Sequence, residues 1–429
     1  MSRTTTKRIF KSSFISNSQT NDWLKDHAVI VENNLISDIL HNNKLPKDID
    51  QTHEVINLGK VFLIPGLIET HAHMHCAGTK DTFNLATSEN NDSQLIRAAN
   101  NLSTAVYSGV TTLRDLGSKN EIAFSIKNSI ESNIIHGPKL ILSGTPITTT
   151  AGHCHFFATE ADTKEEVLKA IRRQIKLGAK IIKIMASGGG FTPRSNRYKA
   201  QYTSEIIKAA VVETERLGIP IAAHAHATES IKQCVDAGVK HIIHSSWLSE
   251  NSENGEDYDK EITKKMAEKN IWVDPGGGLT LLRRENAPDY QMPNWTDTDV
   301  SGDVSEKEPE HDKRRTEILL DMHDKGVKFL GGLDVGMAHA HFDNTPATAW
   351  FTVENLGFSP WEGIQSITSN NAEGLGINNK VGNIKAGLNA DLISFEKDPS
   401  INIRNLNNPN SVILDGKILK FNHKLVVND

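Results

Sequence analysis

The sequence predicts an α/β fold: a TIM-like (β/α)8 barrel with a small composite β-sandwich that both chain ends build. Two observations carry this prediction. In the middle of the chain, an amphipathic stretch, a glycine and a short apolar run recur in this order, and helices alternating with strands are typical of a parallel sheet. Near both ends, short apolar runs between turn residues predict strands without helices. We assign residues 1–64 and 380–429 to the sandwich and residues 65–379 to the barrel.

The terminal strands are predicted from their turns. In "HAVIVENNLISDIL", Asn33 and Asn34 separate two apolar runs, which is typical of a β-hairpin. Near the other end, "SVILDGKILKFN" has an Asp-Gly turn between two further runs. We expect strands from the two ends to pair into one small sheet domain.

The repeated unit of the centre is clearest in "EEVLKAIRRQIKLGAKIIKIMASGGG", which predicts a helix, a turn at Gly178, a strand and a glycine-rich loop. About seven or eight such strands are present, enough to close a (β/α)8 barrel. A doubly wound open sheet is the competing fold, but no GxGxxG turn follows the first strand. Residues 283–313 are polar and interrupted by prolines, so we expect a long surface loop between two barrel strands.

The composition is ordinary for a globular protein, with 429 residues, 38% hydrophobic and 23% charged, and a net charge of −6. It shows no basic stripe, which argues against nucleic acid as a partner. Three widely spaced cysteines suggest no disulfide framework and favour a reducing cytoplasm. The first residues lack the apolar core of a secretory signal, and no apolar run is long enough to span a bilayer. We therefore expect a cytoplasmic protein without membrane contact.

Chemically active residues recur where the predicted strands end, which is where barrel active sites lie. "PGLIETHAHMH" contains three histidines, and the side chains of the first two, His71 and His73, point the same way in an extended segment. A divalent metal accepts both imidazoles. Any one of these histidines could be an ordinary loop residue, but the matched positions favour a metal site. The candidates are His71, His73, Lys183, His224, His244 and Asp334.

Lys183 is the unusual member of this set because Ile182 and Ile184 flank it in a predicted strand. Burial disfavours a charged ammonium, so the amine becomes neutral more easily and could react with CO2 to form a carbamate. Such a carbamate has two oxygens and could bridge two metals. The alternative is a lysine whose ammonium reaches the barrel rim, and position alone leaves both readings open.

Together these motifs resemble the amidohydrolase superfamily of metal-dependent hydrolases. The resemblance covers nearly the whole chain and rests on "PGLIETHAHMH", "KIIKIMASGGGFTP", "IAAHAHA", "HIIHSSWL", "GGLDVG" and "VGNIKAGLNADLISF". The Lys-x-x-x-Ser-Gly-Gly stretch is similar to a branch of binuclear zinc Xaa-Pro dipeptidases. Imidazolonepropionase-like relatives share the sandwich and the His-x-His stretch.

The resemblance implies a ligand set and a mechanism. One metal takes His71, His73 and Asp334, the second takes His224 and His244, and carboxylated Lys183 and a hydroxide bridge the two. The hydroxide attacks an amide carbonyl, and Asp334 acts as general base and then as general acid. Zinc fits the histidine-rich set, as would manganese or cobalt.

The resemblance also implies residues that contact substrate. His153 lies in "TTTAGHCHF", Arg194 could pair with a substrate carboxylate, and His226 stands where related peptidases have a tyrosine. Each could equally be an ordinary loop residue. Glu69 is expected to support the ligands from behind. Relatives often form homo-oligomers, so a homo-oligomer is a further expectation for this chain.

We expect hydrolysis of an amide bond in a small molecule, such as a dipeptide or an N-acyl amino acid. One alternative is a cyclic-amide (imidazolone or lactam) hydrolase or a deaminase on the same fold. Lys183 argues against the mononuclear forms of these enzymes. A hypothesis from another class is an inactive metal-binding scaffold, which the complete ligand set disfavours.

Overall fold

The computed structural model describes residues 6–252, 255–288 and 309–426. Its strands are β1 (Lys7–Asn17), β2 (Asp22–Glu32), β3 (Leu35–His41), β4 (Glu54–Asn57), β5 (Phe62–Pro65), β6 (Leu67–Ala72), β7 (Val110–Asp115), β8 (Lys139–Leu142), β9 (Ile147–Thr148), β10 (Thr159–Glu160), β11 (Ile182–Met185), β12 (Ile221–Ala227), β13 (His241–Leu248), β14 (Trp272–Asp274), β15 (Lys328–Phe329), β16 (Leu392–Phe395), β17 (Ser411–Leu414), β18 (Lys417–Phe421) and β19 (Lys424–Leu425). Its α-helices are α1 (Thr82–Ser88), α2 (Asn91–Tyr107), α3 (Asn120–Glu131), α4 (Lys164–Leu177), α5 (Ser204–Arg216), α6 (Thr228–Ala237), α7 (Lys260–Glu268), α8 (Gly277–Asn286), α9 (Pro309–Asp324), α10 (Pro346–Glu354), α11 (Pro360–Ser366) and α12 (Ser369–Gly374).

Strands from both chain ends form one nine-stranded sheet, as the turn pattern predicts. Its order is β19-β18-β17-β16-β5-β1-β2-β3, and β4 pairs with β1. The two ends meet where β5 pairs antiparallel with β16, so that Phe62 lies opposite Phe395. The predicted turns are present, since Asn33 (φ 57°) lies between β2 and β3, and Asp415 (φ 50°) and Gly416 (φ 71°) join β17 to β18.

The central strands form two parallel sheets, which confirms the predicted parallel architecture. One has the order β10-β9-β11-β12-β13-β14-β15 and the other the order β6-β7-β8. Backbone hydrogen bonds connect the two sheets. On one side, Lys180 N donates to Leu142 O at 2.9 Å. On the other side, Val335 N donates to His71 O at 2.9 Å, and His73 N donates to Val335 O at 2.8 Å. The strand ends of the two sheets are thereby brought together.

The repeated helix–turn–strand unit has a clear local cause. Helix α4 begins with a capping box, in which Thr163 and Glu166 each accept a hydrogen bond from the other's backbone N–H. It ends at Gly178, whose φ of 105° is left-handed, and the chain turns there into β11. Between α7 and β14 the same turn uses Asn270 (φ 50°), an amide side chain that tolerates this conformation.

Strand alternation then sorts the side chains of these strands. In β11, the fully buried Ile182 and Ile184 pack in a core with helix residues such as Ile171 and Ile207. Lys183, between them, points the opposite way. Among the described residues, no helix combines the length and apolar character that a bilayer span requires.

The prediction of a loop over residues 283–313 is wrong at both ends of this range. Helix α8 extends to Asn286, and α9 begins at Pro309. Residues 289–308 lie outside the described part of the chain. Helix α8 begins at Gly277 and Gly278, although glycine has a low helix propensity. Tertiary packing explains these glycines, because a Cβ on Gly277 would lie 2.2 Å from the Phe351 ring.

Candidate metal centre

A cavity of about 220 Å³ lies at the ends of the parallel strands. All six predicted ligands line this cavity. Its first group of ligands consists of His71, His73 and Asp334. The Oδ1 atom of Asp334 lies 3.3 Å from Nε2 of His71 and 3.3 Å from Nε2 of His73. Ligand atoms around a tetrahedral zinc ion, bound at about 2.0–2.1 Å, are separated by about 3.3 Å. The spacing of the first group therefore fits a divalent metal.

The buried surroundings of Asp334 support this fit. Its Oδ1 atom has no hydrogen-bond partner among the described residues. Burial raises the pKa of Asp334, but the imidazoles of His71 and His73 outweigh that effect and hold the pKa well below its ordinary value. A buried, ionised and unbonded carboxylate oxygen is costly unless a cation neutralises it.

The second group consists of His224, His226 and His244, whose ligand nitrogens lie within 4.8 Å of one another. The ring of His244 lies 4.8 Å from that of His224 and stacks on that of His226 at 4.5 Å. The Nδ1 atom of His226 also lies 2.8 Å from Ser246 Oγ. His226, which is predicted to contact substrate, thus lies directly beside the predicted metal ligands. At this position its ring can contact either the substrate or a metal.

Burial keeps the second group in the form that binds metal. Desolvation lowers the pKa of His224 and of His244 well below the ordinary value, so both rings are neutral near pH 7. A neutral imidazole has the free lone pair that a metal ligand needs. The Nε2 atom of His224 lies 3.1 Å from Gly188 O, and this contact fixes the orientation of the ring.

His244 reaches the cavity through a local break in the strand. In β13, Ile243 packs with Leu116, Ile181 and Ala222 inside the parallel strands, so regular alternation would turn His244 away from them. Left-handed φ values at His244 (69°) and Ser245 (49°) interrupt the alternation. As a result, the His244 ring lies 5.5 Å from that of His71.

Arg315 holds this interrupted segment in place. It lies on α9, and its guanidinium donates hydrogen bonds to His244 O and, at 2.6 Å, to Ser245 O. Burial lowers the pKa of Arg315 to about 10, which still leaves it charged at neutral pH. The sequence gives no signal for this role, because Arg315 lies 71 positions from its partner His244.

Lys183 lines the same cavity as the two groups. It is 2% exposed, and burial lowers its pKa to about 8. It interacts electrostatically with Asp334 of the first group and with His224 and His244 of the second. The amine of Lys183 therefore loses its proton more readily than that of an exposed lysine, and the neutral amine is the form that CO2 requires.

Glu69 supports the first group from behind, as expected. Its Oε1 atom accepts hydrogen bonds from His71 N at 2.9 Å and from Leu333 N at 3.0 Å, and its Oε2 atom accepts from Thr345 Oγ1 at 2.8 Å. Burial raises its pKa to about 8. This one carboxyl group therefore joins the segment that carries His71 to the segment that carries Asp334.

Asp274 is a further supporting residue that the sequence analysis missed. It is fully buried at the end of β14, and its Oδ2 atom lies 3.3 Å from His71 Nδ1, on the side of the ring away from Asp334. A Cβ on Gly332 would lie 2.0 Å from that oxygen, so glycine is required there. The signal was present, since Asp274 ends an apolar run at the same place in the repeat as the other ligands.

The other substrate candidates differ in placement. His153 lines the cavity, and its ring stacks on His224 at 4.4 Å. Arg194 is exposed and does not line the cavity, whereas Arg197, three residues later, does. Arg283 and Arg315 line it as well. The structure thus brings His153 and His226 to the metal ligands but not Arg194.

Comparison with known proteins defines the class of this protein. The amidohydrolase family matches residues 62–419, and the NagA composite domain matches residues 19–53. The chain therefore belongs to the amidohydrolase family and is a hydrolase acting on carbon–nitrogen bonds. Members of this family generally use divalent metals, and the first group is a candidate site for one.

Individual relatives agree with this assignment. Ochratoxinase of Aspergillus niger is 27% identical over 91% of this chain and 81% of that protein. Its crystal structure matches with a TM-score of 0.81 at 24% identity, covering 97% of this chain and 96% of that one. A Xaa-Pro dipeptidase with methionine bound in its active site matches with a TM-score of 0.79 at 24% identity, covering 97% and 100%. Imidazolonepropionase of Picrophilus torridus is 24% identical, with 87% of each chain covered.

Proposed function

We propose that this protein is a binuclear metal-dependent hydrolase that cleaves an amide bond in a small molecule, a dipeptide or an N-acyl amino acid. The observation that carries the proposal is that the buried Lys183, whose pKa burial lowers to about 8, lines the same cavity as both groups of metal ligands. The presence of ochratoxinase and a Xaa-Pro dipeptidase among the relatives supports this choice of substrate class.

In this proposal His71, His73 and Asp334 hold one ion, and His224 and His244 hold the other. The neutral amine of Lys183 would add CO2 and release a proton, and the resulting carbamate would be a further carboxylate-like ligand. When bound, two divalent ions, which we propose to be zinc, would lower the pKa of a water and polarise the scissile carbonyl. Asp334 takes a proton from the attacking water and delivers it to the leaving amine. His153 and His226 line the approach to this point and contact the substrate.

The proposed architecture completes the two parallel sheets. We propose that residues 65–379 form a closed (β/α)8 barrel, because hydrogen bonds join the sheets on both sides, at Leu142 and at Val335. The sheet from residues 1–64 and 380–429 would form the composite sandwich beside it. In such a barrel the C-terminal strand ends surround one active site, in agreement with the position of the cavity.

The test is a metal and activity measurement on the wild type and on Lys183→Ala. The proposal expects two zinc ions per wild-type chain, hydrolysis of Xaa-Pro dipeptides or N-acyl amino acids, and loss of both zinc binding and hydrolysis in the variant. Lys180→Ala is the matched control, since Lys180 is exposed and lies three residues earlier. One zinc ion in both proteins, with cleavage of imidazolone-like lactams or aminopyrimidines, would instead support the cyclic-amide hydrolase or deaminase.

A further inference from the structure

Three phenylalanines from separate segments of the chain pack together beside the cavity. Phe83 lies on α1, Phe156 in the short helix after β9, and Phe191 in the glycine-rich loop after β11. Their ring centroids are 5.6 to 5.8 Å apart, and both contacts of Phe83 are nearly perpendicular, at 89° and 86°. These are favourable edge-to-face geometries. We call this set the phenylalanine wall.

The phenylalanine wall faces the cavity and is not simply part of the core. All three rings are only partly buried, and Phe83 and Phe191 line the cavity directly. Phe156 lies behind them and contacts the buried Phe157 at 5.1 Å. A partly exposed aromatic cluster at the mouth of a site is suited to bind an apolar group.

The glycine-rich loop is shaped to deliver Phe191 to this place. A Cβ on Gly189 would lie 2.5 Å from the His153 ring, so only glycine lets the loop lie so close to that ring. Phe191 follows two residues later and packs at the edge of a cluster of Cys154, Phe157 and Met185. Phe191 therefore belongs to the same loop segment that packs on His153, whose ring stacks on His224.

The remaining lining defines the kind of ligand. Leu248, Leu279 and Met337 add further apolar surface to the lining. The phenylalanine wall and the metal ligands share one cavity of about 220 Å³. Beyond the candidate ligands, the described part of the lining also holds Lys80, Arg197, Arg283 and Arg315 together with Glu256 and Asp312. The apolar side chains and rings of this lining match a ligand with an aromatic ring.

We propose that the phenylalanine wall is a specificity subsite for an aromatic ring next to the scissile amide, so that the substrates are carboxylate-bearing amides of aromatic acids or aromatic amino acids. This inference rests on the proposed amide hydrolysis. The ring packs edge-to-face against Phe83 and Phe191 and leaves the amide at the metal ligands. Removing one of these contacts lowers the preference for aromatic substrates by about 10- to 100-fold.

The test compares N-acetyl-phenylalanine with N-acetyl-alanine, and N-benzoyl-glycine with N-acetyl-glycine, for the wild type, Phe191→Ala and Phe191→Leu. We expect a wild-type preference in kcat/KM of at least about tenfold for the aromatic member of one pair. Phe191→Ala should abolish that preference, and Phe191→Leu should restore part of it. Phe358→Ala is the control, because Phe358 is a half-buried ring that does not line this cavity.

Equilibrium binding of the same compounds to the zinc-loaded protein separates the two proposals. No hydrolysis of any amide, with tighter binding of the aromatic compound that depends on Phe191, would refute the proposed function and support the subsite. Cleavage of small and aromatic amides at equal rates would refute only the subsite. An equal loss for both members of a pair in Phe191→Ala would also refute it, since a structural role alone gives that result.

Discussion

Strands β6 and β13 both deliver histidines to the same cavity, but they do so in different ways. On β6, His71 and the following His73 face the site without a left-handed residue, although the pairing with β7 shifts register between Glu69 and Ala72. Buried carboxylates then support that segment, since Met74 N donates to Asp115 at 2.8 Å and Glu69 accepts from His71 N. On β13, alternation would turn His244 away, and left-handed backbone at this residue turns it back.

The difference teaches that the two halves of the centre are supported in different ways: carboxyl groups contact the ring and the amide of His71, whereas a guanidinium holds the backbone carbonyls of His244 and Ser245. The orientation of the His71 ring depends on groups that contact that ring and its own backbone. The position of His244 depends on Arg315, which comes from a helix far along the chain. Perturbing each support separately should therefore weaken one half of the centre and leave the other in place.

The largest effect is expected at Asp334, because hydrolysis needs its proton transfer even when both groups of ligands are intact. Asp334→Asn should lower kcat/KM on the preferred amide by about 100- to 10,000-fold, because the amide cannot accept the proton of the attacking water. Steady-state kinetics measures this loss, and circular dichroism checks that the variant is folded. Asp343→Asn, at an exposed position nine residues later, is the control and should retain wild-type rates.

Arg315→Met should act on the β13 half alone. Without the two hydrogen bonds to His244 O and Ser245 O, we expect the zinc affinity of the second group to fall by about 10- to 100-fold. Titration with a competing chelator would detect one weakened ion. Adding His71→Ala should then remove the remaining ion, whereas adding His224→Ala should leave it. The opposite pattern would contradict the dependence of β13 on Arg315.

Asp274→Asn should act on the β6 half alone. The carboxylate lies 3.3 Å from His71 Nδ1, and its replacement by a neutral amide should lower the affinity of the first group for zinc by about tenfold. The same chelator titration measures this change. An equal loss of affinity for the second ion would show that the two halves are coupled and would contradict the comparison.

The last expected effect is on stability and concerns the pH dependence of the metal-free protein. Glu69 has a pKa raised from 4.5 to about 8 in the folded state, so the folded state holds a proton that the unfolded state has released between these values. Stability should therefore fall as the pH rises from 4.5 to about 8, and level off above that. Urea denaturation at pH 5 and pH 8 measures the slope, which Glu69→Gln should flatten. A slope that is unchanged in this variant would assign it to another group.

Much of this molecule could be predicted from its sequence because the responsible patterns are local. Helix caps, glycine turns and apolar runs indicated the α/β repeats, and the strand ends indicated the residues that the structure collects around one cavity. Asp274 carried the same signal and was overlooked. Arg315 could not be found, because its role depends on a backbone conformation at His244 that no sequence period encodes. The start of α8 at Gly277 was missed for a similar reason, since packing against Phe351 overrides propensity there.

The measurement that tests the centre most directly is a crystal structure of the zinc-loaded protein, grown with bicarbonate and recorded at the zinc absorption edge. Our account predicts two anomalous peaks, one at His71, His73 and Asp334 and one at His224 and His244, with a carboxyl group on Lys183 between them. A single peak beside an unmodified lysine would contradict it.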